Sequence, residues 1–78
     1  MIHKILRTMR KKANLTQGEL SKRLNIANTT LSGYESSYRE PIFATIERIA
    51  NECGYKILFV NEKTEETLTS ANIQRKEL

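Results

Sequence analysis

The sequence predicts a mainly α-helical fold, a bundle of four helices followed by a C-terminal β-strand or hairpin. Three observations lead to this class. Apolar residues recur every three or four positions over most of the chain, a helix-starting motif occupies residues 16–19, and β-branched and aromatic residues fill residues 55–60. With 78 residues, 38% of them hydrophobic, the chain has room for one small core, which excludes a multidomain enzyme.

The first helix is indicated by an apolar stripe near the start of the chain. Its members fall on one helix face: Ile2, Ile5, Leu6, Met9 and Ala13. After a break at Asn14, Thr16 and Glu19 form a capping box, in which the Thr16 hydroxyl accepts from the Glu19 amide and the Glu19 side chain reaches back. The second helix begins there, with Leu20 and Leu24 on its buried side.

A tight turn over residues 25–28 leads into the third helix, because two asparagines stand at turn-tolerant positions. This helix is predicted from about Asn28 to Ser36. One side is expected to face the core: Ala27, Thr30, Leu31 and Tyr34. The other side is small, polar and uncharged: Asn28, Thr29, Ser32, Gly33 and Ser36. Solvated helix faces usually carry Lys and Glu, so this side is suited to close approach by another molecule.

The last elements follow a loop that ends at Pro41, a residue that cannot continue a helix. The fourth helix has an apolar stripe and stops at Gly54; the stripe comprises Phe43, Ile46, Ile49, Ala50 and Cys53. Residues 55–60 predict a strand and residues 61–66 a turn. A weaker second strand is expected over residues 67–73, before a polar tail that frays.

The basic charge is concentrated in the N-terminal half. The chain carries 13 Lys and Arg against nine acids, a net charge of +4. Residues 1–41 hold eight bases and three acids, or +5, whereas residues 42–78 hold five bases and six acids, or −1. We therefore expect an anionic partner to bind the N-terminal half. The alternative is a solvated basic face.

The residue types exclude several kinds of site. One His, one Cys and no Asp cannot assemble a Ser/His/Asp or Cys/His/Asp triad, so we expect no catalytic residues and no enzyme. His3 and Cys53 have no further His or Cys to complete a zinc site. The three glycines lie too far apart for a phosphate-binding loop. No metal and no cofactor are expected.

The compartment follows from cysteine usage and hydropathy. Cys53 stands alone and forms no intrachain disulfide, which favours a reducing compartment. Charges interrupt the apolar residues of the first twelve positions, so no signal peptide is expected there. No segment approaches the roughly 20 apolar residues that span a bilayer. We expect a soluble, cytoplasmic protein without a membrane partner.

Two helices joined by a short turn, the second with a polar outer face, are the elements of a helix-turn-helix. Many positions together resemble one family: Leu15-Thr16-Gln17-Gly18-Glu19-Leu20, Leu24-Asn25-Ile26, Leu31-Ser32, Glu35, Arg39, Pro41 and Ile49-Ala50. Over about residues 4–54 the chain is similar to the Cro and lambda-repressor type (Xre-like) helix-turn-helix domain. The resemblance implies a lambda-repressor-like bundle and a sequence-specific DNA-binding transcriptional regulator, most often a repressor, that reads the major groove of double-stranded DNA.

The resemblance also implies residues that read bases. Asn28, Thr29 and Ser32 match the exposed positions of the family's recognition helix, with Gly33 as a fourth candidate. Asn suits a bidentate pair with adenine, and a Thr methyl can meet a thymine methyl. The alternative for Asn28 is a helix N-cap. Gly33 either lets the backbone approach DNA closely or reads nothing.

Phosphate contacts are implied at the start of the second helix and around the third. Gln17 matches a phosphate-binding position, where the helix dipole already favours an anion. Further candidates are Thr30, Arg39, Lys22 and Arg23. Arg10 and Glu35 match a pair that holds the recognition helix at its reading angle; Glu35 could instead be a solvated acid. Ser37 replaces the family's usual glycine.

The C-terminal segment, residues 55–78, lies outside the resemblance, which leaves residues 1–54 as the DNA-binding domain. Its strand is apolar on both faces: Ile57, Leu58, Phe59 and Val60. An isolated hairpin is marginal in water, so we expect a homodimer that pairs these strands across a two-fold axis. Two recognition helices would then lie about 34 Å apart on a palindromic operator.

A second function class stays open. Xre-like domains with a C-terminal strand also resemble the antitoxin subunits of toxin-antitoxin modules, which bind their own promoter and a toxin protein. The operator sequence and the regulated genes cannot be deduced from the residues.

Overall fold

The computed structural model describes residues 1–70, and within them four helices precede a small hairpin. The elements are α1 (Ile2–Lys12), α2 (Gln17–Leu24), α3 (Asn28–Glu35), α4 (Phe43–Glu52), β1 (Phe59–Val60) and β2 (Thr67–Leu68). The two strands are antiparallel, with Phe59 opposite Leu68 and Val60 opposite Thr67. The predicted fold class, a mainly α bundle of four helices with a C-terminal hairpin, is confirmed.

The boundaries of α2 depend on side-chain capping and on a left-handed turn. The Glu19 amide donates to the Thr16 hydroxyl at 3.0 Å, and the Thr16 amide donates to the Glu19 carboxylate at 2.8 Å. This confirms the capping box. Asn14 before the helix and Asn25 after it have φ of 61° and 59°, a conformation that Asn tolerates better than most residues. Both chain reversals are therefore short.

The core lies between the four helices. Its buried members are Leu6, Met9, Leu20, Leu24, Leu31, Ile49, Ala50 and Cys53. Three residues depart from the expected pattern, because Ile5 and Phe43 are 45% and 52% exposed and Ala27 is an exposed N-cap. The Arg48 guanidinium donates to the Leu24 carbonyl at 2.6 Å, which ties α4 to the end of α2 and satisfies an oxygen that has no partner within its own helix.

The first strand is shorter than predicted. Only Phe59 and Val60 pair, whereas the prediction began at Tyr55. The Tyr55 amide donates to the Ala50 carbonyl at 2.8 Å, and Ile57 packs on the core. Contacts with the helices, and not pairing with a second strand, therefore hold residues 55–58 in place. The second strand begins at Thr67 as predicted and ends at Leu68. Residues 71–73 of that prediction lie outside the described residues.

Candidate nucleic-acid interface

The exposed side of α3 is formed by three small polar residues. Asn28, Thr29 and Ser32 are exposed, and we call them the α3 face. Helix periodicity places them within an arc of about 100°, because Ser32 is three residues from Thr29 and four from Asn28. Asn28 is the first residue of the helix and Ala27 is its N-cap, with no side-chain capping bond, so the structure does not use Asn28 as the cap.

A buried ion pair fixes the end of α3 against α1. Arg10 Nε donates to Glu35 Oε2 at 2.7 Å, and Arg10 Nη2 donates to Glu35 Oε1 at 2.9 Å. The third guanidinium nitrogen, Nη1, donates to the Leu15 carbonyl at 2.8 Å. The hydrogen bond and the charge of Glu35 raise the pKa of Arg10 despite the cost of burial. Glu35 is therefore not the solvated acid of the alternative interpretation.

Gln17 joins the same network from the start of α2. Its Nε2 donates to Glu35 Oε1 at 3.1 Å, so Glu35 connects the beginning of α2, the end of α3 and the side of α1. An amide nitrogen carries two hydrogens, which leaves one N–H of Gln17 for a further acceptor. The Gln17 and Gly18 amides at the start of α2 also lack intrahelical backbone partners because of their position, and they add to a positive helix end.

A shallow cavity of about 210 Å³ lies beside this network. Its lining comprises Arg7, Arg10, Gln17, Ser32, Glu35 and Ser36. The exposed guanidinium of Arg7 gives the opening a positive charge, and Ser32 belongs to the α3 face. Arg7 was not among the sequence-predicted site residues; the stripe of bases opposite the apolar side of α1 was the signal that could have found it.

Gly33 does not lie on the exposed face, so its place among the base-reading residues stays a prediction that its exposure does not support. It is buried, and a Cβ built on it would lie 3.0 Å from Cδ of Arg39. The amides of Tyr38 and Arg39 donate to the Gly33 carbonyl at 2.9 and 3.1 Å. The loop after α3 folds back over this glycine, so the close approach that Gly33 permits is made by Arg39 of the same chain.

Ser37 adopts the conformation for which glycine is usually selected. Its φ is 70°, in the left-handed region. The loop therefore keeps its reversal although the side chain is present. This reversal brings the exposed Arg39 back beside Gly33 of α3.

The other predicted phosphate contacts are dispersed. Thr30 is half-buried on α3. Lys22 and Arg23 are exposed near the end of α2, and Arg23 Nη1 lies 3.7 Å from Glu52 Oε2 on α4. Neither residue lies on the cavity beside Gln17. The structure thus brings Arg10, Gln17 and Glu35 together, places Arg39 by Gly33, and leaves Lys22 and Arg23 apart from them.

The predicted dimer residues form an exposed apolar surface around the hairpin. Ile57 is half-buried, whereas Leu58, Phe59 and Val60 are 39%, 62% and 54% exposed. The ring of Phe59 stacks on that of Phe43 at 6.3 Å between centroids, which attaches β1 to the start of α4. Apolar side chains with this exposure are suited to a protein partner.

Residues 1–70 contain no group of three or more His, Cys, Asp or Glu that could hold a metal ion. None of the helices in that range is long and apolar enough to cross a membrane. Cys53 is buried, and desolvation raises the pKa of its thiol, so it packs as a core side chain.

Comparisons with known proteins agree with this geometry. A family model described as helix-turn-helix matches residues 6–60. The chain is also 44% identical over 48 residues to the HTH-type transcriptional regulator ImmR of Bacillus subtilis (strain 168). That alignment covers 62% of this chain and 38% of the relative, so the matched part spans well under half of the relative's length. No solved structure matches the chain significantly.

Proposed function

The chain belongs to the helix-turn-helix family, and on that premise we propose that it is a sequence-specific DNA-binding transcriptional regulator. In this proposal it is a repressor that binds a palindromic operator as a homodimer and blocks polymerase by occupying the site. The observation that carries the proposal is the exposed, uncharged α3 face, positioned by the buried pair of Arg10 and Glu35. Small polar side chains on a fixed helix can approach base edges in a major groove.

Base reading is assigned to the α3 face. Asn28 can both donate to and accept from an adenine, and its position at the first turn of α3 suits it to base contact, because recognition helices contact bases with their N-terminal residues. Thr29 offers a methyl group to a thymine, and Ser32 offers a hydroxyl one turn further along. Gly33 has no part in this assignment because it is buried under Arg39.

Phosphate binding is assigned to groups that lie beside the later part of α3. Gln17 keeps one amide hydrogen for a phosphate oxygen while the other holds Glu35, so the same side chain links the DNA backbone to the position of α3. Arg39 supplies a positive charge beside the helix, and Arg7 does so across the cavity. Thr30, Lys22 and Arg23 are assigned weaker contacts, because Thr30 is half-buried and the other two lie outside the cavity beside Gln17.

The proposal divides the chain into two parts. Residues 1–54 bind DNA, and residues 55–78 form the dimer through Ile57, Leu58, Phe59 and Val60. The exposed edge of β1 and its apolar side chains support this division. A two-fold axis would place the α3 faces of two copies about one helical turn of DNA apart, roughly 34 Å.

Salt dependence tests whether DNA is the ligand. If each subunit neutralises three or four phosphates, the logarithm of the association constant should fall against the logarithm of salt concentration with a slope of about −5 to −7. Fluorescence anisotropy with a labelled duplex measures this slope. A slope near −1 would contradict the proposal, because it corresponds to a single phosphate contact.

An antitoxin that binds its own promoter and a toxin protein is the second candidate. The exposed apolar hairpin favours a protein partner of some kind, and a toxin is one such partner. Stable copurification of a toxin with this chain would support the antitoxin function. A homodimer that binds operator DNA and copurifies with no other protein would support the repressor.

A further inference from the structure

A groove on the outer side of α1 combines an apolar floor with a rim of lysines. It lies between α1 and the segment that follows α4, with a volume of about 500 Å³. Its floor includes Ile5, Met9, Tyr55 and Ile57, and its rim consists of Lys4, Lys12 and Lys56. Among the described residues no carboxylate lines it. The groove therefore suits an occupant that carries both apolar and acidic side chains.

This groove is turned away from the proposed DNA-binding side. Ile5 and Arg7 are two residues apart on α1, as are Arg10 and Lys12. Two residues correspond to about 200° of helix rotation, so the members of each pair point in directions about 160° apart. Arg10 faces Glu35 of α3, so Lys12 lies on the opposite side of the helix, whereas Lys4 is three residues from Arg7 and lies between the two sides. DNA bound at the α3 face therefore does not account for Lys12.

The hairpin turn of the same chain has the complementary character. Glu62, Glu65 and Glu66 are all exposed in a turn that contains one base, Lys63. No ion pair joins these glutamates to a base within residues 1–70. The preceding strand adds the exposed rings and methyls of Phe59 and Val60. Acidic and apolar groups are therefore presented together.

The turn is held in one conformation by its own hydrogen bonds. The Asn61 amide donates to the Glu66 carbonyl at 2.8 Å, and the Glu65 amide donates to the Asn61 carbonyl at 2.7 Å. Asn61 Oδ1 accepts from the Lys63 amide at 2.9 Å. A turn that is already ordered loses little conformational entropy on docking, which favours binding.

A two-fold axis at β1 brings the turn and the groove together. One edge of β1 pairs with β2, and in the described part of the chain the other edge has no strand partner. If two copies pair antiparallel along that edge with Phe59 opposite Phe59, residue 62 of one copy faces residue 56 of the other, because both lie three positions from the axis. Glu62 then lies opposite Lys56 of the groove rim, and the contact occurs twice.

We propose that in the homodimer the acidic turn of each copy, residues 61–66, docks in the lysine-rimmed groove of the other copy. The inference rests on the proposed function only in requiring a dimer. The chain's own residues beyond the described range fit the groove less well, because they include Arg75 and Lys76 with one acid, Glu77. A second copy supplies three glutamates at the tip of a hairpin.

Charge reversal tests the docking on the full chain without DNA. The groove variant carries Lys4→Glu, Lys12→Glu and Lys56→Glu, and the turn variant carries Glu62→Lys, Glu65→Lys and Glu66→Lys. Sedimentation velocity measures the dimer dissociation constant of each variant. Each alone should dimerise at least tenfold more weakly than the wild type, because like charges then face each other in both contacts. Lys11→Glu and Glu40→Lys, exposed and outside the groove and the turn, are the matched controls and should change the constant less than about twofold.

The equimolar mixture of the two variants is the decisive sample. In a mixed dimer the reversed groove meets the reversed turn and the unchanged groove meets the unchanged turn, so both contacts pair opposite charges and dimerisation should return to within about threefold of the wild type. A salt titration of the wild type needs no variant, and the dimer should weaken between about 50 and about 500 mM NaCl as screening increases. A monomeric wild type, variants that dimerise like the wild type, a mixture that stays monomeric, or a dimer insensitive to salt would each overturn the docking.

The failure of this inference is separable from that of the proposed function. If the wild type dimerises as proposed but binds no DNA duplex, the proposed regulator function is contradicted and the docking is retained. A monomer that binds DNA overturns the docking and retains DNA binding. A wild type that is monomeric and binds an acidic partner protein through the groove lysines also overturns the docking.

Discussion

Arg10 and Glu35 are 25 residues apart in the chain, and their side chains form a doubly hydrogen-bonded ion pair that excludes solvent. The exposed fractions of the two side chains are 9% and 3%. Gln17 donates to the same carboxylate. One carboxylate therefore determines how α1, the start of α2 and the end of α3 are arranged, and the α3 face depends on it.

Removing one partner of this pair should destabilise the fold strongly. Glu35→Ala leaves a buried guanidinium without its counter-charge, and we expect a loss of about 3 kcal/mol in the free energy of unfolding. Urea denaturation followed by circular dichroism measures it. The double variant Arg10→Met/Glu35→Leu buries no unpaired charge and should recover at least about 2 kcal/mol of that loss. A loss below about 0.5 kcal/mol in the single variant would contradict the account.

Replacing Gly33 by Ala should separate stability from DNA binding. Alanine favours the helix by about 1 kcal/mol over glycine, and the atom that its Cβ approaches belongs to the flexible, exposed Arg39. Unfolding should therefore need more denaturant or the same amount, while displacement of Arg39 weakens DNA binding. Arg39→Ala is the comparison and should weaken DNA binding without the gain in stability. A Gly33→Ala protein that is destabilised by more than about 1 kcal/mol would show that Arg39 cannot move.

Replacing Ser37 by glycine should stabilise the fold. The φ of 70° at Ser37 costs a non-glycine residue about 1 kcal/mol, and glycine avoids this cost. Part of that gain is offset, because glycine loses more conformational freedom on folding. We expect Ser37→Gly to raise the melting temperature. The neighbouring Ser36 has φ of −100°, where glycine relieves nothing, so Ser36→Gly should lower it. Equal effects of the two substitutions would mean that backbone strain at residue 37 is not significant.

The capping box should make part of the stability pH-dependent. Hydrogen bonds from Thr16, first from its backbone amide, lower the pKa of Glu19 below the usual carboxyl value. A lowered pKa in the folded state means that the contribution is present above the unfolded pKa and is lost as pH falls through the folded one. Glu19→Gln should therefore flatten the dependence of the melting temperature between neutral pH and about pH 3. Glu40→Gln, in the loop before Pro41, is the control; an equal flattening there would contradict the assignment.

Local signals in the sequence predicted most of the fold. Thr16 and Glu19 marked the start of α2, and Gly54, with φ of 89°, marked the end of α4, because caps and left-handed residues act within a few positions of the chain. The strand was overestimated, because β-branched and aromatic residues between 55 and 58 indicate extended backbone equally well when they pack on helices.

The candidate site was less accessible to sequence reasoning. The pairing of Arg10 with Glu35 was implied by resemblance, whereas the bond from Gln17 to Glu35 depends on how α2 approaches α3. The burial of Gly33 depends on a loop that returns Arg39 over it, which periodicity within α3 does not encode. Long-range contacts of this kind require the tertiary arrangement.

The measurement that tests the central claim most directly is selection of bound duplexes from a random DNA library, made in parallel with the wild type, Asn28→Ala and Gln17→Ala. The account predicts a two-fold symmetric motif for the wild type. Asn28→Ala should lose about 1 to 3 kcal/mol of preference at one base pair in each half-site, and Gln17→Ala should keep the motif with weaker binding to every sequence. No enriched motif, or the same motif and affinity for all three proteins, would contradict it.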